Sequence, residues 1–247
     1  MTRTFRARVA SLAKLIELLV YPSFCRLSAE PLDEPGEKVV CRTCLAKLSP
    51  RSGPSCPLCG RFHEGEGEDH LCSRCLERAP AFSIHRSCGA YGGTLKDVIL
   101  LFKYRKYAPL SRVLAGFAER CLASDPKLWA GVDFLIPVPL HPARKRERGF
   151  NQSRLLARDL GRLRGMTVLE GCLVKAKNVP PQAGLRAAER EENVKKAYAV
   201  RHPKKIRGKT LILVDDVTTT GATLRECARV LVEAGARDVR AVTLARA

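Results

Sequence analysis

Apolar and polar positions change their rhythm near residue 83. Before it, residues 25–80 are rich in Cys, Pro, Gly and charge and carry no long apolar periodicity, so they build no core without metal. After it, short apolar runs alternate with stretches of helical period, the pattern of an α/β fold. The spacing predicts helices over 94–102, 113–122, 151–164 and 222–233; the third turns Leu155, Leu156, Leu160 and Leu163 inward, and Gly235 closes the last. It predicts buried strands at 133–138, 210–214 and 239–244. Strand, loop, helix, strand is a βαβ unit, which implies a parallel sheet flanked by helices. Near the start, Leu12, Leu15, Ile16, Leu19 and Val20 share one helical face, giving a short amphipathic helix within residues 1–24. Lys14 and Glu17 interrupt that stretch and no small-residue cleavage site follows, so a secretory leader is not expected. No run approaches the roughly 18 apolar residues needed to cross a bilayer, and the helix is expected to pack on the protein itself.

A chain of 247 residues with 45% apolar content has room for one ordinary domain and a smaller module. The reading divides it into the helix at 1–24, a cysteine module at 25–80 and an α/β unit at 84–247. The eleven cysteines sharpen this division. The cysteines Cys25, Cys41, Cys56 and Cys72 recur every 15 or 16 positions, and the last three open the pairs Cys41/Cys44, Cys56/Cys59 and Cys72/Cys75. The first unit has Ser28 where a second thiol would stand. A Cys-x-x-Cys turn supplies two of the four tetrahedral ligands zinc prefers, so two turns make one site. Cys56, Cys59, Cys72 and Cys75 have the spacing of a complete zinc ribbon. Cys25, Cys41 and Cys44 form a second set one ligand short, to be vestigial or filled by His63, His70 or water. Pairing of Cys41/Cys44 with Cys72/Cys75 stays open at this point. Redox chemistry is disfavoured because no βαβ setting surrounds these pairs, and the cysteines imply a reducing, cytoplasmic compartment. Cys88, Cys121, Cys172 and Cys227 lie outside the repeat and read as buried apolar fillers.

The formal net charge is +19, but residues 1–80 carry 12 Lys/Arg against 10 Asp/Glu, so +17 of it falls in the remainder. Polyanionic partners are therefore expected at the second part: phosphorylated metabolites or nucleic acid. The near-neutral first part suits a protein partner better.

The most specific chemistry lies at residues 211–223. Four apolar residues form a strand, Asp215 and Asp216 stand at its carboxyl end, and Thr218, Thr219, Thr220, Gly221, Ala222 and Thr223 open the next helix. A helix N-terminus offers unpaired N–H groups to a phosphate, hydroxyls add donors, and glycine lets the backbone approach closely. Carboxylates accept from vicinal sugar hydroxyls, so the stretch fits a ribose 5-phosphate. A Walker reading fails: Gly208-Lys209-Thr210 imitates the end of such a loop, but Pro203 stands where glycine is needed. At a second strand end, Ile136-Pro137-Val138-Pro139-Leu140-His141 precedes Arg144, Lys145, Arg146 and Arg148. A turn at Val138 and Pro139, braced by proline so that nearby backbone donors are held in place, and cations at Arg144 and Arg148 suit a pyrophosphate, against the bland reading of a solvated basic face.

The segment 211–223 resembles the site for 5-phosphoribosyl-1-pyrophosphate (PRPP) in type I phosphoribosyltransferases. That resemblance implies Asp215 and Asp216 on the ribose 2′- and 3′-hydroxyls, Thr218–Thr223 on the 5′-phosphate, and Mg²⁺ accompanying PRPP. With PVPLH-x-x-R-x-R-x-R-GFNQ-S, the segment from Gln182 to Leu185 with Arg190 and Asn193, and the cysteine repeat, the chain resembles the ComF family of natural competence. The family implies a double zinc ribbon before a phosphoribosyltransferase-like domain, and a link to uptake of single-stranded DNA with other competence proteins. By analogy, residues 175–197 form a loop closing over PRPP, with Gln182, Arg190 or Lys195 reaching the pyrophosphate. Ser28 departs from the family pattern, as do Lys177 and Asn178 at the lead into that loop. Residues 84–130 are expected to supply the hood, through Tyr91, Lys103, Tyr104 or Lys106. Two functions follow: PRPP-dependent transfer to an acceptor the sequence leaves open, or a non-catalytic factor binding single-stranded DNA with PRPP as a regulatory ligand. At 6% aromatic residues, DNA binding would be led by phosphate contacts and be strongly salt-dependent.

Overall fold

The computed structural model describes residues 24–32, 39–104, 107–175 and 197–247. The amphipathic helix expected before residue 24 lies outside them, as do Lys106 and the loop residues Lys177, Asn178, Gln182, Arg190 and Lys195.

Four parallel strands form the central sheet: β1 (Ile84–Ala90), β2 (Phe134–Pro137), β5 (Thr210–Thr218) and β6 (Asp238–Arg246), in the spatial order β1-β6-β5-β2. Between β2 and β5 in sequence, β3 (Leu173–Lys175) and β4 (Tyr198–Val200) make a separate antiparallel pair. This pair is the base of the expected loop. β5 lies between two neighbours, and its residues Leu211 to Val214 are all but inaccessible. Burial on both faces is what an unbroken Leu-Ile-Leu-Val run encodes, at roughly 1.5–3 kcal/mol per large side chain.

Parallel neighbours require crossover connections, and helices provide them. α1 (Arg42–Ala46) and α2 (Ser73–Glu77) belong to the cysteine module. α3 (Gly93–Tyr104), α4 (Leu110–Leu122) and the short α5 (Pro126–Trp129) carry the chain from β1 to β2. α6 (Pro142–Arg148) and α7 (Gln152–Arg164) follow β2, α8 (Pro203–Ile206) precedes β5, and α9 (Ala222–Glu233) joins β5 to β6. Asn151 caps α7 by accepting from Ser153 N–H, and Gly165 ends it in the left-handed region.

Three expectations need correction. Leu163 is 56% exposed rather than inward, because α7 buries the face carrying Leu156, Ala157, Leu160 and Gly161. A side chain on Gly161 would meet Met166 O at 2.8 Å, so small residues set the close approach there. β5 runs on to Thr218, which puts Asp215 and Asp216 inside the strand instead of after it. β1 was not foreseen, since His85, Arg86 and Ser87 break its apolar run.

The cysteine module docks on β1, an edge strand of the sheet. His85 N–H donates to Leu58 O at 2.8 Å and Cys88 O accepts from Arg51 N–H at 2.9 Å, so the outer flank of β1 is hydrogen-bonded by the module. Its two halves join different cores. Cys25, Cys41 and Cys44 pack with Val98, Phe102 and Leu114 on one side of the sheet. Cys56, Cys59, Cys72 and Cys75 pack with residues of β5, β6 and α9 on the other.

Candidate functional site

The carboxyl ends of β5 and β2 bring the chemistry together. Asp215 Oδ1 accepts from Ser153 Oγ at 2.7 Å and from the backbone N–H of Asp216 at 2.9 Å. Burial, and next the charge of Asp216, push the Asp215 carboxyl up to about 7, against the opposing pull of Ser153, the Asp216 N–H and Lys103. Asp216, 7% exposed, pairs with Lys103 of α3 at 2.8 Å. Burial alone would push that ammonium down, but Asp216, with Asp215 behind it, outweighs burial and holds it above the usual lysine value. Among the four hood candidates, Lys103 reaches an acid and Tyr104 lies under Arg148, whose guanidinium carbon is 5.2 Å from the ring centre. Tyr91 instead packs on the apolar core.

Thr219, Thr220 and Gly221 form the turn between β5 and α9. Gly221 sits at φ +78°, a conformation that favours glycine, as the N-cap of α9. The N–H groups of Thr219, Thr220 and Gly221 have no backbone acceptor among the described residues. Arg74, from the cysteine module, braces the turn by donating to Thr220 O at 2.9 Å. A cavity of about 380 Å³ on that side is lined by the turn and by Arg61, Arg74, Arg225 and Arg246.

The stretch after β2 folds as α6, with His141 accepting from Ala143 N–H and Gly149 as its left-handed C-cap. The helix divides the basic cluster. Lys145 and Arg146 are exposed, while Arg144 and Arg148 are partly buried. Val138 N–H donates to Val214 O at 3.0 Å, and Val138 O accepts from Asn151 at 3.0 Å, locking the Val138-Pro139 turn beside β5. Gln152 is 1% exposed; its Oε1 accepts from Arg148 at 3.3 Å, and its Nε2 has no acceptor among the described residues. Sequence reasoning missed three participants: Ser153, Lys175 and Tyr198. The Lys175 ammonium, pushed down by burial and then by Arg144, lies 5.4 Å from the Tyr198 ring centre. Lys175 falls at the first position of the expected loop, which was the available signal.

The thiols resolve into two sets, Cys56/Cys59/Cys72/Cys75 and Cys25/Cys41/Cys44, each with ligand atoms within 4.8 Å of one another. The interleaved pairing is thereby excluded. His63 and His70 do not complete the three-thiol set: they stack on each other at 3.8 Å, and His63 Nε2 pairs with His70 O. Cys59 and Cys72 sulfurs are 3.6 Å apart, close to the edge of about 3.8 Å expected for a tetrahedron with Zn–S near 2.3 Å. At Cys56 backbone N–H groups outweigh burial and hold the thiol down at about 7, while burial and the neighbouring Cys59 push Cys75 up to about 12. Four crowded thiols ionise together only around a cation, and the donor set fits zinc. Cys88, Cys172 and Cys227 are buried and Cys121 is partly buried, consistent with filling roles.

This combination defines a class: a double zinc ribbon joined to a phosphoribosyltransferase-type α/β unit. The Double zinc ribbon domain profile matches residues 16–76 and the Phosphoribosyl transferase domain profile residues 156–247. Within that class the chain belongs to the competence protein F family. It is 31% identical to Competence protein F of Haemophilus influenzae over 84% of this chain and 90% of that one. It is also 31% identical to Competence protein ComFC of Bacillus subtilis over 86% of both chains. DNA utilization protein YhgH of Escherichia coli K12 is 29% identical, over 93% of this chain and 99% of its own. No helix among the described residues is long and apolar enough to cross a membrane.

Proposed function

We propose that this protein binds PRPP with Mg²⁺ at the carboxyl ends of β5 and β2, acting in the cytoplasm in the handling of DNA taken up by the cell. Supporting the reading above all is the adjacency of two acids to a turn whose N–H groups lack backbone acceptors. Asp215 and Asp216 accept from the ribose hydroxyls, and Thr218–Thr223 enclose the 5′-phosphate. The orphaned Gln152 amide, with Arg144 and Arg148, suits the pyrophosphate oxygens. Gln182 and Arg190, which lie outside the described residues, are proposed as further pyrophosphate contacts. Ribose C1 then faces the hood, where a nucleophile displaces pyrophosphate with charge developing on the leaving oxygens. The ribbon at 25–80 and the α/β unit at 84–247 act as the two working parts.

Titration calorimetry with PRPP and Mg²⁺ tests this. Binding is expected in wild type and lost in Asp216→Ala; a wild-type chain that takes up no Mg·PRPP at millimolar concentration overturns the reading. A second reading, a non-catalytic factor for single-stranded DNA, is favoured by the exposed Lys145 and Arg146 and by the +17 charge beyond residue 80. It requires an affinity that falls steeply with salt and survives Asp216→Ala.

A further inference from the structure

The N-terminal thiol set has three members where its neighbour has four. The missing thiol falls at Ser28, yet the backbone there still makes the turn of a metal knuckle. Cys25 N–H donates to Glu30 O at 2.7 Å and Ala29 N–H to Cys25 O at 3.0 Å. In the complete knuckle, Cys56 N–H donates to Arg61 O at 2.8 Å and Gly60 N–H to Cys56 O at 2.8 Å. The fifth position is left-handed in both, with φ +63° at Gly60 and +59° at Ala29. Ala29 is the one non-glycine with positive φ among the described residues, a conformation its Cβ disfavours. The turn is kept against local preference. Moreover, the N–H groups of Leu27, Ser28 and Cys41 converge on Cys25 Sγ at 3.4, 3.5 and 3.3 Å, an arrangement suited to a thiolate.

This turn also decides where Glu30 points. Its Oε2 lies 3.8 Å from Cys41 Sγ and accepts from Ser28 Oγ at 3.3 Å. Zinc with Zn–S near 2.3 Å and Zn–O near 2.1 Å has a tetrahedral S···O edge of about 3.6 Å, which the separation from Cys41 nearly meets; the carboxylate oxygen is beyond 4.8 Å from at least one of the Cys25 and Cys44 sulfurs, so it must swing inward to complete the set. Ser28 Oγ is itself 3.6 Å from Cys41 Sγ. A neutral alcohol, however, is outside the set of protein donors zinc favours, whereas a carboxylate is within it and restores the charge of the lost thiolate.

We propose that Glu30 closes the N-terminal zinc site of this chain, giving a Cys25, Cys41, Cys44 and Glu30 ligand set in which the Ser28 hydroxyl orients the carboxylate. Ser28 and Glu30 are exposed, whereas all four sulfurs of the other site are buried. The N-terminal site therefore has one corner open to water, and its metal exchanges faster than that of the four-thiolate site.

Zinc stoichiometry, chelator competition and cobalt(II) spectra on the full chain test the assignment without reference to PRPP. Wild type is expected to hold two zinc ions. Glu30→Gln weakens one site on the order of 10-fold or more and leaves the other unchanged, with Ser28→Ala causing a smaller loss. The double variant Ser28→Cys with Glu30→Gln recovers the affinity, and its thiolate-to-cobalt absorption at that site rises by about a third as three sulfur ligands become four. A wild type holding a single zinc overturns the proposal, as does an unchanged affinity in Glu30→Gln. A loss in Ser28→Ala larger than that in Glu30→Gln also overturns it, making serine the ligand.

Discussion

Lys103 Nζ sits 2.8 Å from Asp216 Oδ1, and both side chains are almost withdrawn from solvent, at 13% and 10% exposure. The ammonium occupies the acid that a ribose hydroxyl is proposed to use, so ligand entry requires this pair to open. Lys103→Met leaves two adjacent carboxylates without their cation. Loss of one partner of a buried pair costs about 3 kcal/mol, roughly 6–12 °C in Tm for a chain of this size. Magnesium is expected to restore more of the Tm in Lys103→Met than it adds to wild type, measured by thermal unfolding with and without MgCl₂. Equal shifts would place the acids out of reach of a metal.

Two buried groups tilt stability in opposite directions with pH. His85 is neutral in the fold: Nδ1 donates to Cys59 O at 2.7 Å, Nε2 accepts from the Thr243 hydroxyl at 3.0 Å, and burial followed by the charge of Arg246 pushes the ring down to about 3. The unfolded chain binds that proton near 6.5, so stability is lost as pH falls below about 6.5, at about 1.4 kcal/mol per pH unit. Asp215, raised to about 7, holds a proton in the fold that the unfolded chain has released, so its contribution declines as pH rises from about 4 to 7. Between pH 5 and 6.5 the two slopes cancel. Asp215→Asn should make stability rise with pH across that window, and His85→Gln should make it fall; denaturant titrations at several pH values read both.

Glycine is required at position 60 and would be welcome at position 29. A Cβ on Gly60 would stand 2.6 Å from His85 O in a left-handed turn, pressing the knuckle away from β1. Gly60→Ala is expected to lower Tm by several degrees and to speed proteolysis within residues 39–80. Ala29→Gly relieves the same conformation without such a contact and should gain up to about 1 kcal/mol. Denaturant midpoints of the two variants should move in opposite directions.

Arg74 ties the ribbon to the phosphate turn through Thr220 O. Arg74→Ala should weaken Mg·PRPP binding on the order of 5–10-fold, since the charge-assisted hydrogen bond that braces the turn is removed. Stripping zinc from the four-thiolate site should weaken binding in the same direction, because Arg74 lies in α2 between the ligands Cys72 and Cys75. Calorimetry before and after chelation checks this.

Where one residue type has one physical use, the sequence was readable. The run Leu211 to Val214 marks a strand buried on both faces and the cysteine spacing marks metal knuckles, so three of the four sheet strands and the complete thiol set were legible, whereas β1 was not. Contacts between distant segments were harder to read. Ser153 meets Asp215 across 62 positions, and His85 meets Cys59 across a module boundary; a serine and a histidine have too many uses for spacing to single them out. Small residues hid the inward face of α7, because an apolar pattern weighs Leu163 above Ala157 and Gly161. Asp216 looked like an open acceptor, and only the tertiary fold shows the lysine that meets it.

The docking of the ribbon along β1 ties metal supply to solubility. Leu58 and Arg51 hold the outer rim of that strand only while the knuckles keep their shape, and the knuckles keep it only with zinc. Cells starved of the ion would therefore accumulate a species whose bare sheet margin recruits further copies, so shortage would appear first as insoluble protein and only afterwards as lost activity.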